Sequence, residues 1–225
     1  IEDCAHAVGT FHKSKHAGTM GSTGCFSFYP TKNITTAEGG MVITNSKSIA
    51  EKVRQLRSHG MTRSLKSRYS SGYPWVFDIL EPGYNYRLDE IRASLGISQL
   101  RRIKKINELR KKASTYYNKN LQDIPGIILP DIVNDRSHSY HLYTIRVTKD
   151  FKLSRNQLYK KLKDNGIRTT VYWMPIHEYA AYRKFAKKSN VVNTAKTYDE
   201  ILALPLFPNI SKKHQDAEIK VIKSS

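Results

Sequence analysis

One lysine, Lys32, stands in a setting that could give it chemistry. It follows a run of alternating small and aromatic residues from Cys25 to Tyr29, then Pro30 and Thr31, and it precedes the turn at Gly39-Gly40. A lysine amine, with an ordinary pKa of about 10.4, is protonated at neutral pH. Burial or a nearby positive charge lowers that value and makes the amine a nucleophile for carbonyls. Asp3 lies where a strand ends, the place where α/β sheets gather ligand-binding groups. A carboxylate there can hold a proton on a pyridine nitrogen. Ser27 can offer a hydroxyl to a phosphate, and Thr31 or Asn33 can orient such a site. Amine, carboxylate and hydroxyl are groups that pyridoxal phosphate (PLP) requires, since PLP is an aldehyde on a phosphorylated pyridine that acts as an electron sink once its ring nitrogen is protonated. Each residue alone has a plainer explanation: most lysines solubilise a surface, and an Asp at a strand end commonly caps a turn.

The elements that must position these residues can be read from the pattern. Ile1 to Asp3 reads as the end of a strand, Cys25 to Tyr29 as a short buried strand, and Met41 to Thr44 as the next one. A helix with Ile49, Val53 and Leu56 on its apolar stripe is expected from Ser48, with Glu51 completing a capping box and Gly60 ending it. Residues 61 to 82 read as a long loop. A long helix is expected from Asp89, its apolar face marked by Leu88, Ile91, Leu95, Ile103, Ile106 and Ala113, with Gly96 a weak point or a close-packing site. After Pro125-Gly126 the pattern becomes a smaller α+β unit. Tyr143, Ile145 and Val147 alternate with polar residues as in a half-buried strand. Ser154 with Gln157 caps a helix stopped by Gly166, and Ile167, Thr169 and Val171 form a further strand. Helical stretches are expected over Tyr179 to Lys187 and Asn193 to Leu202, and a last helix is capped by Ser211. The division expected is 1–110 for the larger unit, including the long helix, and 111–225 for the smaller.

Composition excludes several classes. With 39% hydrophobic and 25% charged residues the chain is globular. No apolar run could span a bilayer, and the acid pair after Ile1 is not the basic start of a secretory signal. Two cysteines make neither a disulfide framework nor a zinc ribbon, and a reducing cytoplasm is the simplest compartment. The net charge of +19 could attract anions. Its densest part, Arg101 to Lys112, reads as the wet face of a helix, and no helix-turn-helix, zinc finger or RNP motif favours nucleic acid. His138 and His141 are three apart and His12 and His16 four apart, too few converging ligands for a metal, and HExxH, GxSxG and Walker motifs are absent. Trp75 and Trp173 are expected as packing residues.

Taken together, several strings resemble the DegT/DnrJ/EryC1/StrS family of PLP-dependent sugar aminotransferases. They are Ile1-Glu2-Asp3-Cys4-Ala5-His6-Ala7, Gly24-Cys25-Phe26-Ser27-Phe28-Tyr29-Pro30-Thr31-Lys32-Asn33 and Glu38-Gly39-Gly40-Met41-Val42. To these are added Arg57-Ser58-His59-Gly60, Gly83-Tyr84-Asn85-Tyr86-Arg87-Leu88, Tyr140-His141-Leu142-Tyr143 and Leu204-Pro205-Leu206-Phe207-Pro208. The resemblance implies the type I, aspartate-aminotransferase-like α/β fold with a small C-terminal α+β domain. It implies that Lys32 carries PLP and moves the proton, that Asp3 pairs with the ring nitrogen, that His6 lies near the ring hydroxyl, and that Ser27 binds the phosphate. Asn85 would reach the phosphate of a partner subunit's cofactor, making the enzyme a homodimer. Some members are dehydratases with histidine in place of the lysine, so Lys32 favours transamination. Glutamate is the implied donor, and a keto sugar on a nucleotide diphosphate the acceptor, in amino-sugar or polysaccharide biosynthesis. Arg63 and Arg68 could attract the diphosphate, and His177, in a string similar to a substrate-side strand, could touch substrate.

Members of the family carry a substantial portion before the equivalent of Ile1. It supplies early strands, helix-terminal amides for the phosphate and a ring that stacks on PLP. The chain is therefore expected to be a fragment or the product of a truncated gene. The alternative function is that of an inactive remnant binding PLP or nucleic acid, for which steep salt dependence would speak.

Overall fold

The computed structural model describes residues 1–62, 70, 72, 73, 75–185 and 191–225. The described chain forms two compact units, one of residues 1–105 with 134–139, the other of 106–133 with 140–225.

In the first unit, strand β1 (Glu2–Asp3) is followed by a hairpin of β2 (Phe11–His12) and β3 (Lys15–His16), then by β4 (Gly24–Ser27) and β5 (Gly40–Ile43). The main sheet has the order β1-β4-β5. β1 runs parallel to β4 with Asp3 opposite Cys25, and β5 runs antiparallel to β4 with Ser27 opposite Gly40. Parallel pairing sends the ends of β1 and β4 to the same edge of the sheet, which brings Asp3 and the loop after Ser27 to one side. Gly24 is required where β4 starts: a Cβ there would lie 2.3 Å from the Cα of Gly18.

Helix α1 (Lys47–Leu56) is capped two residues before the expected position. Ser46 is its cap, its Oγ accepting from the Ile49 amide at 3.4 Å, and Ser48 sits inside the first turn beside it. Helix α2 (Glu90–Leu100) starts as expected, with Asp89 Oδ1 accepting from Arg92 N at 2.8 Å. The expected single long helix is two helices. At Arg102 the bonding tightens to the Gln99 carbonyl three residues back, at 2.9 Å, and α3 (Ile103–Leu121) begins anew. The half-buried side of α2 also differs from the apolar face expected. Ile91 and Leu95 are 83% and 42% exposed, while Gly96 and Gln99 meet the loop that carries Lys32.

In the second unit, β6 (Ile127–Ile128), β7 (Tyr143–Val147) and β8 (Ile201–Leu204) form an antiparallel sheet in the order β6-β7-β8. Tyr143, Ile145 and Val147 are buried as their alternation requires. They pack with Tyr117 and Leu121 of α3, Leu158 and Leu162 of α4 (Arg155–Asp164), and Ile219 and Ile222. The Ser154–Gln157 capping box is present. Residues 167–171 make only a bridge, Thr170 to Ala203, in place of the expected strand. The stretch from Tyr179 contains a short helix α5 (Ala180–Arg183), and the expected end at Lys187 lies outside the described residues. Helix α6 (Val192–Glu200) stops before Leu202, because Ile201 to Leu204 pair with β7 and bury Leu202, Ala203 and Leu204. Ser211 caps the last helix, α7 (Lys212–Lys223). Trp75 and Trp173, expected to pack, are both largely exposed. No helix among the described residues is long and apolar enough to cross a membrane.

Two polar side chains enter this core with partners, although the buried Arg110 Nε has none. Nη1 of the buried Arg110 donates to the carbonyls of Tyr140, His141 and Leu206 at 3.1, 3.2 and 3.1 Å. The Tyr117 hydroxyl bonds the Glu218 carboxyl and the Pro205 carbonyl.

Candidate active site

The loop after β4 is folded back on the strand by its own backbone. Phe28 N donates to Gly39 O at 2.9 Å, Thr36 N and Thr35 Oγ1 donate to Phe28 O at 3.0 and 2.9 Å, and Lys32 N closes a turn onto Tyr29 O at 3.0 Å. Phe28, Asn33, Ile34 and Thr36 are buried, which leaves Lys32 half-buried between fixed neighbours. α2 holds this loop from the other side. Gln99 Oε1 accepts from Thr35 N at 3.1 Å and its Nε2 donates to Thr35 O at 2.8 Å. Gly96 is a close-packing site, since a Cβ on it would come within 2.8 Å of Thr36 Cγ2.

Electrostatics join three of the residues singled out from the sequence. Burial lowers the pKa of Lys32, and the negative charge of Asp3 partly opposes the shift. Partial desolvation also lowers that of His6, with the Lys32 charge adding to it and the Asp3 charge opposing. Lys32, Asp3 and His6 thus form one cluster at the end of β1, although the Asp3 and His6 side chains are exposed. Asp3 is oriented by its own turn, its Oδ1 accepting from Ala5 N at 3.0 Å. Ser27 is half-buried at the end of β4 on the same sheet edge, its Oγ 3.4 Å from the Tyr29 amide. Asn85 is not part of the cluster. It is exposed, bridges Ser58, and accepts from Arg87 Nε at 3.2 Å; no hydrogen bond links it to Lys32, Asp3 or His6. The segments 57–60 and 83–88, separate in the sequence, lie against each other here: His59 N donates to Tyr84 O at 2.9 Å and Tyr86 N to Arg57 O at 2.9 Å. Arg63 and Arg68 lie outside the described residues. His177 belongs to the second unit, in a 3-10 turn.

The residue set fits PLP. A half-buried amine of lowered basicity lies within electrostatic reach of a carboxylate at a strand end, and a serine stands at the end of the neighbouring strand. Among the described residues no group of three metal-ligating side chains competes for this role. Sequence reasoning did not single out Ser139 and assigned Asn33 only a general orienting role. Asn33 Nδ2 donates to Ser139 O at 2.6 Å, and the Ser139 hydroxyl donates to His6 O. A contact across 106 residues has no local sequence signature.

Comparison with known proteins extends over nearly the whole chain. It is 40% identical over 214 residues to an uncharacterised Methanocaldococcus jannaschii protein, MJ1066, covering 94% of this chain and 55% of that one. It is 36% identical over 227 residues to the spore coat polysaccharide biosynthesis protein SpsC of Bacillus subtilis, covering 99% of this chain and 58% of the relative. The chain therefore spans a little over half the length of these relatives. Among solved structures, Helicobacter pylori PseC, an aminotransferase involved in the biosynthesis of pseudoaminic acid, matches with a TM-score of 0.88 at 28% identity, over 99% of this chain and 59% of that one. The PMP form of a Streptococcus pneumoniae sugar aminotransferase, Spr1654, matches with a TM-score of 0.86 at 28% identity, over 99% of this chain and 57% of that one. The fold is the type I fold of these aminotransferases. Residues 1–223 match the family model, and the chain belongs to the DegT/DnrJ/EryC1/StrS aminotransferase family.

Proposed function

We propose that this chain supplies the lysine-bearing part of a PLP-dependent sugar aminotransferase. Its reaction moves an amino group from glutamate to a keto sugar carried on a nucleotide diphosphate, within amino-sugar or polysaccharide biosynthesis. The observation that carries the proposal is the half-buried Lys32 amine, its pKa lowered by burial, within electrostatic reach of Asp3 at the end of β1. The relatives named for spore coat polysaccharide and pseudoaminic acid biosynthesis support the sugar acceptor.

PLP, when bound, supplies the electron sink that makes a proton next to the amino nitrogen removable. Lys32 Nζ would hold the group and then serve as the base that takes this proton and returns it; lowered basicity suits an amine to both tasks near neutral pH. Asp3, fixed through Oδ1, would keep the pyridine nitrogen protonated. His6 would stand beside the ring, and the Ser27 hydroxyl would donate to the phosphate. Asn85, exposed and apart from the cluster, is placed in this proposal toward the cofactor phosphate of a partner subunit, which makes the working enzyme a homodimer; its compartment is the cytoplasm.

The test is half-reaction spectroscopy on the chain joined to the N-terminal part of a relative. Glutamate should convert the PLP spectrum to that of the amine form, and a keto sugar on a nucleotide diphosphate should reverse it. Conversion by glutamate with no reversal by any such sugar would overturn the acceptor, and no conversion by glutamate would overturn the donor.

A further inference from the structure

Residues 134–139 leave the second unit on both sides and belong to the first. They lie along the β2–β3 hairpin. Ser137 N donates to Phe11 O and Phe11 N to Ser137 Oγ, each at 2.8 Å; Lys13 N donates to Asp135 O at 2.9 Å; and His12 Nε2 is 3.1 Å from Asp135 Oδ2. These bonds hold the strap against the hairpin. The strap ends in Ser139, which is 2% exposed. Ser139 uses both of its polar oxygens on the two loops of the candidate site. Its hydroxyl donates to the carbonyl of His6, in the loop after Asp3, and its carbonyl accepts from Nδ2 of Asn33, the residue next to Lys32.

We propose that Ser139 is a positioning residue, which locks the loop of Asp3 and His6 to the loop of Lys32 and so sets the environment of the Lys32 amine. The physical argument is one of entropy and burial. Lys32 has a long, rotamer-rich side chain on a loop of eleven residues between Phe28 and Gly40, and such a loop is ordered only as far as its anchors hold it. Gln99 and Gly96 anchor it at Thr35 and Thr36, beyond the lysine. Asn33 is the anchor next to Lys32, and it is tied to Ser139. The same serine fixes His6, whose ring interacts with the Lys32 charge. Releasing Ser139 frees both the loop of His6, which interacts with the Lys32 charge, and the loop that carries Lys32 itself. The inference rests on the proposed function only for the meaning of Lys32; the tie between the loops stands without it.

The test is the pH profile of Lys32 itself, measured without cofactor on the whole chain. Competitive acetylation gives the titration midpoint of Lys32 against an exposed lysine such as Lys163. Ser139→Ala removes the bond to His6, and Asn33→Ala removes the other half of the tie. In each the Lys32 midpoint should rise toward the ordinary lysine value, while the profile of Lys163 stays unchanged. A folded variant of either kind with an unmoved Lys32 midpoint overturns the proposal, even if its stability falls, because a merely structural serine changes stability alone. If neither variant folds, hydrogen exchange on the native chain decides: the amides of 4–8 and 31–36 should open together, and independent opening overturns the tie. Borohydride trapping of PLP on the native chain is read separately. Failure of trapping with a shifted Lys32 profile would count against the proposed function and leave the positioning role in place.

Discussion

Glu218 is 4% exposed and its carboxyl is bonded to the Tyr117 hydroxyl inside the core of the second unit. Burial pushes its pKa up from 4.5 to about 7, against the opposing effect of the Tyr117 hydrogen bond. The folded chain therefore holds a proton that the unfolded chain has already lost. A carboxyl whose folded pKa is raised contributes stability that is fully present below about pH 4.5 and is lost as pH rises through about 7. At about 1.4 kcal/mol per pKa unit, the loss across that window is about 3 kcal/mol. Glu218→Gln removes the titration and keeps an amide oxygen that can accept from the Tyr117 hydroxyl. Urea unfolding of both chains, repeated from about pH 4.5 to 8 and followed by circular dichroism, measures the difference. The other carboxylates and histidines are common to both and cancel in it. The native chain should lose about 3 kcal/mol relative to the variant across this range. Parallel profiles would refute the reasoning, and would mean that Glu218 is solvated or ionised without penalty in the folded state.

Two further perturbations test the packing that holds the candidate site and the core. Gly96→Ala places a methyl 2.8 Å from Thr36 Cγ2, and Thr36 is held by its bond to Glu38 O. The variant should lose about 1–3 kcal/mol of stability and should shift the Lys32 acetylation profile; an unchanged profile would show that α2 does not support that loop. Leu158→Ala opens a cavity beside Leu162 and Leu202 and should cost about 2–5 kcal/mol in urea unfolding, whereas a cost below about 1 kcal/mol would mean that the site is not a packed core position.

What the sequence disclosed depended on the range of the interaction. Local rules worked where one residue decides the outcome. Asp89 and Ser211 cap their helices, the Ser154–Gln157 box forms, and the 143–145–147 alternation is buried. They failed where a tertiary partner competes. Ile201 and Leu202 look helical but complete a sheet edge on β7. Ile91 and Leu95 look like core, but it is the Gly96 and Gln99 side of their helix that receives the Lys32 loop. Ser46 and Ser48 offer two caps two residues apart, and pattern alone chose the wrong one. For the candidate site, Lys32 and Asp3 were singled out by the family-like strings around them, since an amine and a carboxylate near strand ends are common and point to no cofactor by themselves. The contacts of Ser139 were illegible because they exist only once residues 134–139 have joined the first unit.

The measurement that tests the central claim most directly is cofactor trapping. The purified chain is incubated with PLP, its visible absorbance is recorded, the sample is reduced with borohydride, and the modified peptide is mapped. The account predicts a pyridoxyl label on Lys32, lost in Lys32→Arg and weakened in Asp3→Asn. A label scattered over exposed lysines, or none at all, both in this chain and in the chain completed with the N-terminal part of a relative, would contradict it.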